Sequence, residues 1–170
     1  LSLVMTRNRS LTANFTIDAY TLTLATRGRG SVAAVPNQGT YNHFTPVTLT
    51  ATSGTGYSFT GWTGDTTTAT DPLSLVMTRN RSLTANFTID AYTLAVTTSG
   101  SGSVAAVPNQ ATYNHFTPVT LTATPVIGWL FTGWTGDTTT TTDPLSLVMT
   151  RNRSLTANFA INAYTLTLAT

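Results

Sequence analysis

Apolar and polar residues alternate along most of this chain with a period of two. Tyr20, Leu22 and Leu24 face one way while Thr21, Thr23 and Ala25 face the other. Val47, Leu49 and Ala51 alternate with Thr48, Thr50 and Thr52, and Leu73, Leu75 and Met77 with Ser74, Val76 and Thr78. Leu83, Ala85, Phe87 and Ile89 alternate in turn with Ser82, Thr84, Asn86 and Thr88. That period belongs to strands with one face on a core, and helical periodicity is nowhere sustained. β-branched Thr suits the other face of such a strand. Shorter strands are expected at Gly30–Val35 and Tyr57–Trp62. Turn residues fall between the runs, at Arg27-Gly28-Arg29-Gly30, Pro36-Asn37-Gln38-Gly39, Ser53-Gly54-Thr55-Gly56, Thr63-Gly64-Asp65 and Asp71-Pro72. Arg79-Asn80-Arg81 joins two alternating runs, which predicts a tight hairpin with Asn80 at positive φ. About six short strands per unit and no helix predict an all-β fold.

The pattern recurs. Leu1–Asp18 returns letter for letter at Leu73–Asp90, and at Leu145–Asn162 with Ala160 for Thr and Asn162 for Asp, each time 72 residues on. A fixed period marks a tandem array of structural units. Framed at Ala-Tyr-Thr-Leu, residues 1–18 read as the C-terminal hairpin of a preceding repeat, 19–90 and 91–162 as complete repeats, and 163–170 as the first strand of a following one. The expectation is a window on a longer array. The two complete repeats differ at 14 of 72 positions.

A core this small supplies only ~3–5 kcal/mol. The chain has no Cys for disulfides and no Lys for a Lys–Asn isopeptide bond. Contact between neighbouring repeats is therefore the expected remaining source of stability. Between Phe87 and Tyr92 stand only Thr88, Ile89, Asp90 and Ala91, without the Pro, Gly or Ser run of a flexible tether. The apolar face holds odd positions through Ile89 and even positions from Tyr92, so at Asp90–Ala91 the chain must bend, bulge or pass to another sheet. Small β domains stacked head to tail through short stiff joints are expected.

Composition narrows the role. There are 41 Thr, no Glu, eight Arg and six Asp, giving a net charge of +2. Cations so sparse do not form the patch that releases counterions from a phosphate backbone, which excludes nucleic acid as a partner. No apolar run approaches the ~20 residues of a membrane-spanning helix. A Thr-, Ser-, Asn- and Gly-rich surface with little charge suits an extracellular or cell-surface protein more than the cytoplasm, where charge maintains solubility.

The order of motifs in each repeat resembles the divergent internalin B-repeat family of bacterial surface proteins. The residues concerned are Tyr20-Thr21-Leu22-Thr23, Gly28/Gly30-Ser31-Val32 and Thr45-Pro46-Val47-Thr48-Leu49-Thr50-Ala51. They continue with Gly56-Tyr57-Ser58-Phe59-Thr60-Gly61-Trp62-Thr63-Gly64-Asp65, Leu73-Ser74-Leu75-Val76-Met77 and Leu83-Thr84-Ala85-Asn86-Phe87. The second repeat carries Pro125 and Gly128-Trp129-Leu130-Phe131-Thr132-Gly133-Trp134 in the aromatic segment. The resemblance implies small β-sandwich- or β-grasp-like domains strung as spacers or adhesive stalks on exported proteins, with no catalytic residues to carry over. The chain departs from the family pattern in lacking Lys, in its few acidic residues and in the near-identity of its repeats.

Several residue sets invite a chemical reading. Trp62 and Trp134, with Tyr57 and Trp129 five positions earlier, read either as a sugar-stacking platform or as core, and sharing a strand with Phe59 and Phe131 favours core. The Asp65–Asp71 and Asp137–Asp143 loops hold two carboxylates each, short of the 6–8 oxygen ligands calcium takes, and read as turn chemistry. His43 and His115 have no Cys, Glu or second His nearby and read as loop histidines. Sequons at Asn8, Asn14, Asn80, Asn86 and Asn152 and the Thr clusters Thr66–Thr68 and Thr138–Thr142 are possible glycan positions on composition alone. The Arg residues are expected to bridge to Asp of a neighbouring repeat. No constellation supports catalysis, a cofactor or a metal. The expected role is a non-catalytic structural repeat of an extracellular stalk, spacer or filament, with neighbouring repeats and identical chains as partners. The alternative is an adhesin repeat that recognises surface glycans.

Overall fold

The computed structural model describes Val4 and residues 6–168. The first repeat consists of β1 (Ala19–Tyr20), β2 (Leu22–Arg27), β3 (Gly30–Val35), β4 (Tyr41–Asn42), β5 (Thr45–Ser53), β6 (Tyr57–Gly64), β7 (Leu73–Met77) and β8 (Arg81–Ile89). The second follows the same order with β9 (Ala91–Tyr92), β10 (Leu94–Ser99), β11 (Gly102–Val107), β12 (Tyr113–Asn114), β13 (Pro118–Pro125), β14 (Trp129–Gly136), β15 (Leu145–Val148) and β16 (Arg153–Ile161). The fold is all-β, as the alternation demands, with six working strands and one two-residue pair in each repeat.

Those six strands form two three-stranded sheets, β2–β8–β6 and β3–β5–β7, repeated as β10–β16–β14 and β11–β13–β15. The sheets enclose one core per repeat. In the first, Val47, Leu49, Leu73, Leu75 and Met77 come from one sheet and Trp62, Leu83, Ala85 and Phe87 from the other, with Tyr20, Leu22 and Leu24 packed at the margin. All but Trp62 are positions the period-two reading turns inward. No polar or charged residue among those described is fully buried.

The first and last long strands of each repeat pair in parallel. Leu22 lies opposite Arg81 and Arg27 opposite Asn86, and the second repeat matches with Leu94 opposite Arg153. A chain that enters beside the start of β8 therefore leaves at its far end. With about 3.3 Å per strand residue, a nine-residue β8 carries it roughly 25–30 Å onward per repeat. Parallel pairing makes each unit a through-running segment.

One expectation needs correction. Arg79-Asn80-Arg81 is not a hairpin: β7 pairs with β5 while β8 lies between β2 and β6, so the chain crosses from one sheet to the other. Alternation reports which face is apolar and not which sheet a strand joins, and both runs present their apolar face to the same core. Asn80 is not among the residues at positive φ. Its side chain accepts a hydrogen bond from the Thr21 amide (2.9 Å), and the Arg81 amide donates to the Thr21 carbonyl (2.9 Å), tying the crossing to the entry strand. Residues 6–18 and 163–168 carry no strand, and Leu1–Leu3, Met5, Ala169 and Thr170, on which part of the expected hairpin and strand falls, lie outside the described residues. The letters of β8 thus recur at Arg9–Ile17 without strand structure. β8 is a central strand held on both edges, and pairing and burial, more than intrinsic preference, decide whether such a sequence is a strand.

Candidate functional site

Trp62 and Trp134 are core residues, each only 1% exposed. The Gly-Trp-Thr-Gly-Asp motif builds that position. The β6–β8 register slips between Phe59 and Gly61, a bulge at Thr60. Gly61 follows at φ 138°, a conformation glycine adopts at little cost. Asn86 fills the gap by donating to the Gly61 carbonyl (3.1 Å) and to Thr63 Oγ1 (3.0 Å). The bulge turns Trp62 inward against Phe59, ring centroids 5.5 Å apart. Its indole N–H donates to the Thr70 carbonyl (3.2 Å), so the ring is buried with its polar atom satisfied. Neither indole is a stacking platform for a sugar.

The Asp65–Asp71 loop closes the same corner. Asp65 accepts from the Ser82 amide (2.6 Å) and from Arg79 Nη2 (3.1 Å), and Asp71 accepts from the Ala51 amide (2.9 Å). Asp137 and Asp143 repeat these contacts with Ser154, Arg151 and Ala123. The carboxylates are committed to amides on different strands, and no cluster of three or more His, Cys, Asp or Glu side chains occurs among the described residues. The ion pairs Arg79–Asp65 and Arg151–Asp137 lie within one repeat, so the expected bridge from these arginines to a neighbouring repeat is not made. The hairpin assumption hid this pairing, because only a crossing between sheets brings Arg79 to the end of β6. Of the sequons, Asn86 has its side-chain nitrogen committed at the bulge, whereas Asn8, Asn14, Asn80 and Asn152 are exposed.

The arrangement with most consequence lies between the repeats. β8 ends at Ile89 in one sheet, and β9 begins at Ala91 paired with β12, so the parity change coincides with passage to another sheet. Asp90 alone spans the step. Its amide donates to the Gly56 carbonyl of the first repeat (2.8 Å), and its carbonyl accepts from the His115 amide of the second (2.8 Å). Its carboxylate accepts from Ser58 Oγ (2.6 Å). The His115 ring lies directly over Gly56: a Cβ added there would stand 2.1 Å from Cδ2 and 2.8 Å from the histidine's own Cβ. Tyr92 and Phe116 flank the ring, with centroids 5.8 Å and 4.1 Å away.

His43 and His115 occupy the turn after β4 and β12, as loop histidines should, but His115 is also half of a joint. Each is followed by a Phe at positive φ, Phe44 (65°) and Phe116 (66°), held by donation to Met77 and Met149 carbonyls (2.8 Å each). The roles of Gly56 and His115 were missed from sequence because the partners are 59 residues apart. One signal was present: five of the 14 differences between repeats fall within 53–58 and 125–130, around the unchanged Gly56 and Gly128. Two differences are also coupled, since Ser58 with Asp90 becomes Leu130 with Asn162.

The model of the divergent InlB B-repeat domain matches the chain twice in tandem, over residues 20–91 and 92–163. Domains of this kind are typical of bacterial surface and extracellular proteins and are in general structural. No curated protein and no solved structure matches the chain.

Proposed function

The chain belongs to the divergent InlB B-repeat family, and from that membership we propose that it serves as a non-catalytic spacer, a stiff stalk segment of a bacterial surface protein. The observation that carries this reading is the joint at Asp90. One residue bonds to both repeats, His115 seats on Gly56, and no linker separates the cores. Parallel pairing of first and last strands adds a fixed advance in one direction per repeat. Small cores coupled at close interfaces behave as a one-dimensional array in which each unit supports the next. A weakly charged Thr-rich exterior fits an extracellular stalk. The adhesin alternative loses its best candidates with the burial of Trp62 and Trp134.

Spin labels at exposed, equivalent positions test stiffness, and a chain without Cys allows them to be placed singly. Gln38→Cys combined with Gln110→Cys is expected to give one narrow distance distribution by double electron–electron resonance. A broad distribution, as from independently tumbling domains, would rule out a rigid spacer.

A further inference from the structure

Resting on the spacer reading, we propose a further function for each repeat, that of a mechanical clamp. Tension along the chain loads the β2–β8 and β10–β16 ladders in shear, and these ladders set the force at which a repeat gives way. A stalk segment carries its load through the backbone. In the first repeat that load enters at the start of β2 and leaves at the end of β8. The two strands are adjacent and parallel, paired from Leu22 opposite Arg81 to Arg27 opposite Asn86, and β10 pairs with β16 in the same way. Pulling therefore draws the two strands past each other along their own axis.

The ladder bonds of a parallel pair are evenly spaced and bridge the strands, so a pull along the strands falls on all of them together. A slide of about 3 Å, one strand residue, breaks the whole set at once. Were the same two strands antiparallel, entry and exit would lie at one end and the bonds would part singly. Forced unfolding follows the rate of unfolding and not the equilibrium stability. A small core is therefore no bar to a strong link.

Both load points are fastened. At entry, Thr21 is held by the Asn80 side chain and the Arg81 amide (2.9 Å each), and Thr93 is held likewise by Asn152 (3.0 Å) and Arg153 (2.9 Å). At exit, β8 is paired on its other edge as well, with Tyr57 opposite Ile89, and Asp90 adds its bonds to the Gly56 carbonyl and Ser58 Oγ. β8 is thus anchored across the sheet, and β2, an edge strand lying on β8 alone, is the strand that slides. The second repeat carries an extra brace within its ladder. The hydroxyl oxygens of Thr97 on β10 and Thr156 on β16 lie 2.9 Å apart, where the first repeat has Ala25 opposite Thr84.

The test is the direction of pull. The chain has no Cys, so optical-tweezer handles attach to the intact chain at chosen thiols. Thr23, Ser82 and Thr88 are exposed, Thr23 directly opposite Ser82 and Thr88 near the far end of β8. Handles on Thr23→Cys with Thr88→Cys pull the ladder in shear, whereas handles on Thr23→Cys with Ser82→Cys peel it open from one end. Shear should need several times the force of peeling at equal loading rate. With thiols capped, both double variants should melt alike, since none of the three side chains is in the core. Ala25→Thr, which places a hydroxyl opposite Thr84, should raise the shear force and leave the peeling force unchanged. Equal forces in the two geometries would overturn the clamp. So would an Ala25→Thr variant that strengthens both alike, the mark of general stability without load sharing. The resonance distances judge the spacer reading separately. Equal forces with a narrow distance distribution mean a stiff spacer without a clamp, and high shear force with a broad one means clamped repeats on loose joints.

Discussion

Gly56 and Gly128 hold equivalent positions in similar backbone conformations, and they differ in what stands over them. Both lie at positive φ, where alanine costs about 1–2 kcal/mol whatever the surroundings. At Gly56 a Cβ also collides with the His115 ring and with the histidine's own Cβ, so the side chain cannot swing clear, whereas at Gly128 the space is open. Comparing the two substitutions separates strain from the joint. Gly128→Ala should lower the stability of the second repeat by the backbone term alone. Gly56→Ala should lower that of the first by at least as much and also uncouple the repeats, seen as a broadened interlabel distance distribution. Equal effects of both substitutions on that distribution would mean that His115 contributes nothing to the joint.

At the scale of elements, the chain contains its own control. Leu11, Leu83 and Leu155 occupy one place in the recurring segment, yet Leu11 is 70% exposed while Leu83 and Leu155 are 1% exposed on the central strands β8 and β16. Leu83→Ala or Leu155→Ala should cost about 2–5 kcal/mol, enough to unfold the affected repeat given so small a core. Leu11→Ala should fall within about 0.5 kcal/mol of no effect. Urea titration followed by indole emission distinguishes them, and a Leu11→Ala variant as damaging as Leu83→Ala would contradict the strand assignment. The same contrast marks the limit of what the letters reveal. β2, β3, β5 and β7 were legible because alternation reports a half-buried face directly. The placement of β7 and β8 in different sheets was not, because both turn their apolar face to one core and the difference lies in partners far along the chain. Parallel pairing of β2 with β8 was hidden for the same reason, since Leu22 meets Arg81 across a whole repeat. Of the joint, the parity change at Asp90 was legible from spacing, while His115 over Gly56 required the fold.

For the whole molecule, the question is whether two repeats make one cooperative body. Each repeat closes its own core, and no buried side chain is shared between the two clusters. Coupling therefore rests on the Asp90 bridge, the His115–Gly56 contact and the absence of slack between β8 and β9. A Gly-Ser insertion between Asp90 and Ala91 removes the last of these and separates the two hydrogen bonds that Asp90 makes at once. Each repeat should remain folded, because its sheets are complete without the other. The melting profile should nevertheless broaden toward two transitions, since neighbour coupling is what makes marginal units of an array unfold together. Small-angle scattering should show a larger radius of gyration as the effective tether lengthens. An unchanged melting profile would show that the joint sets direction only, leaving each repeat to stand on its own core.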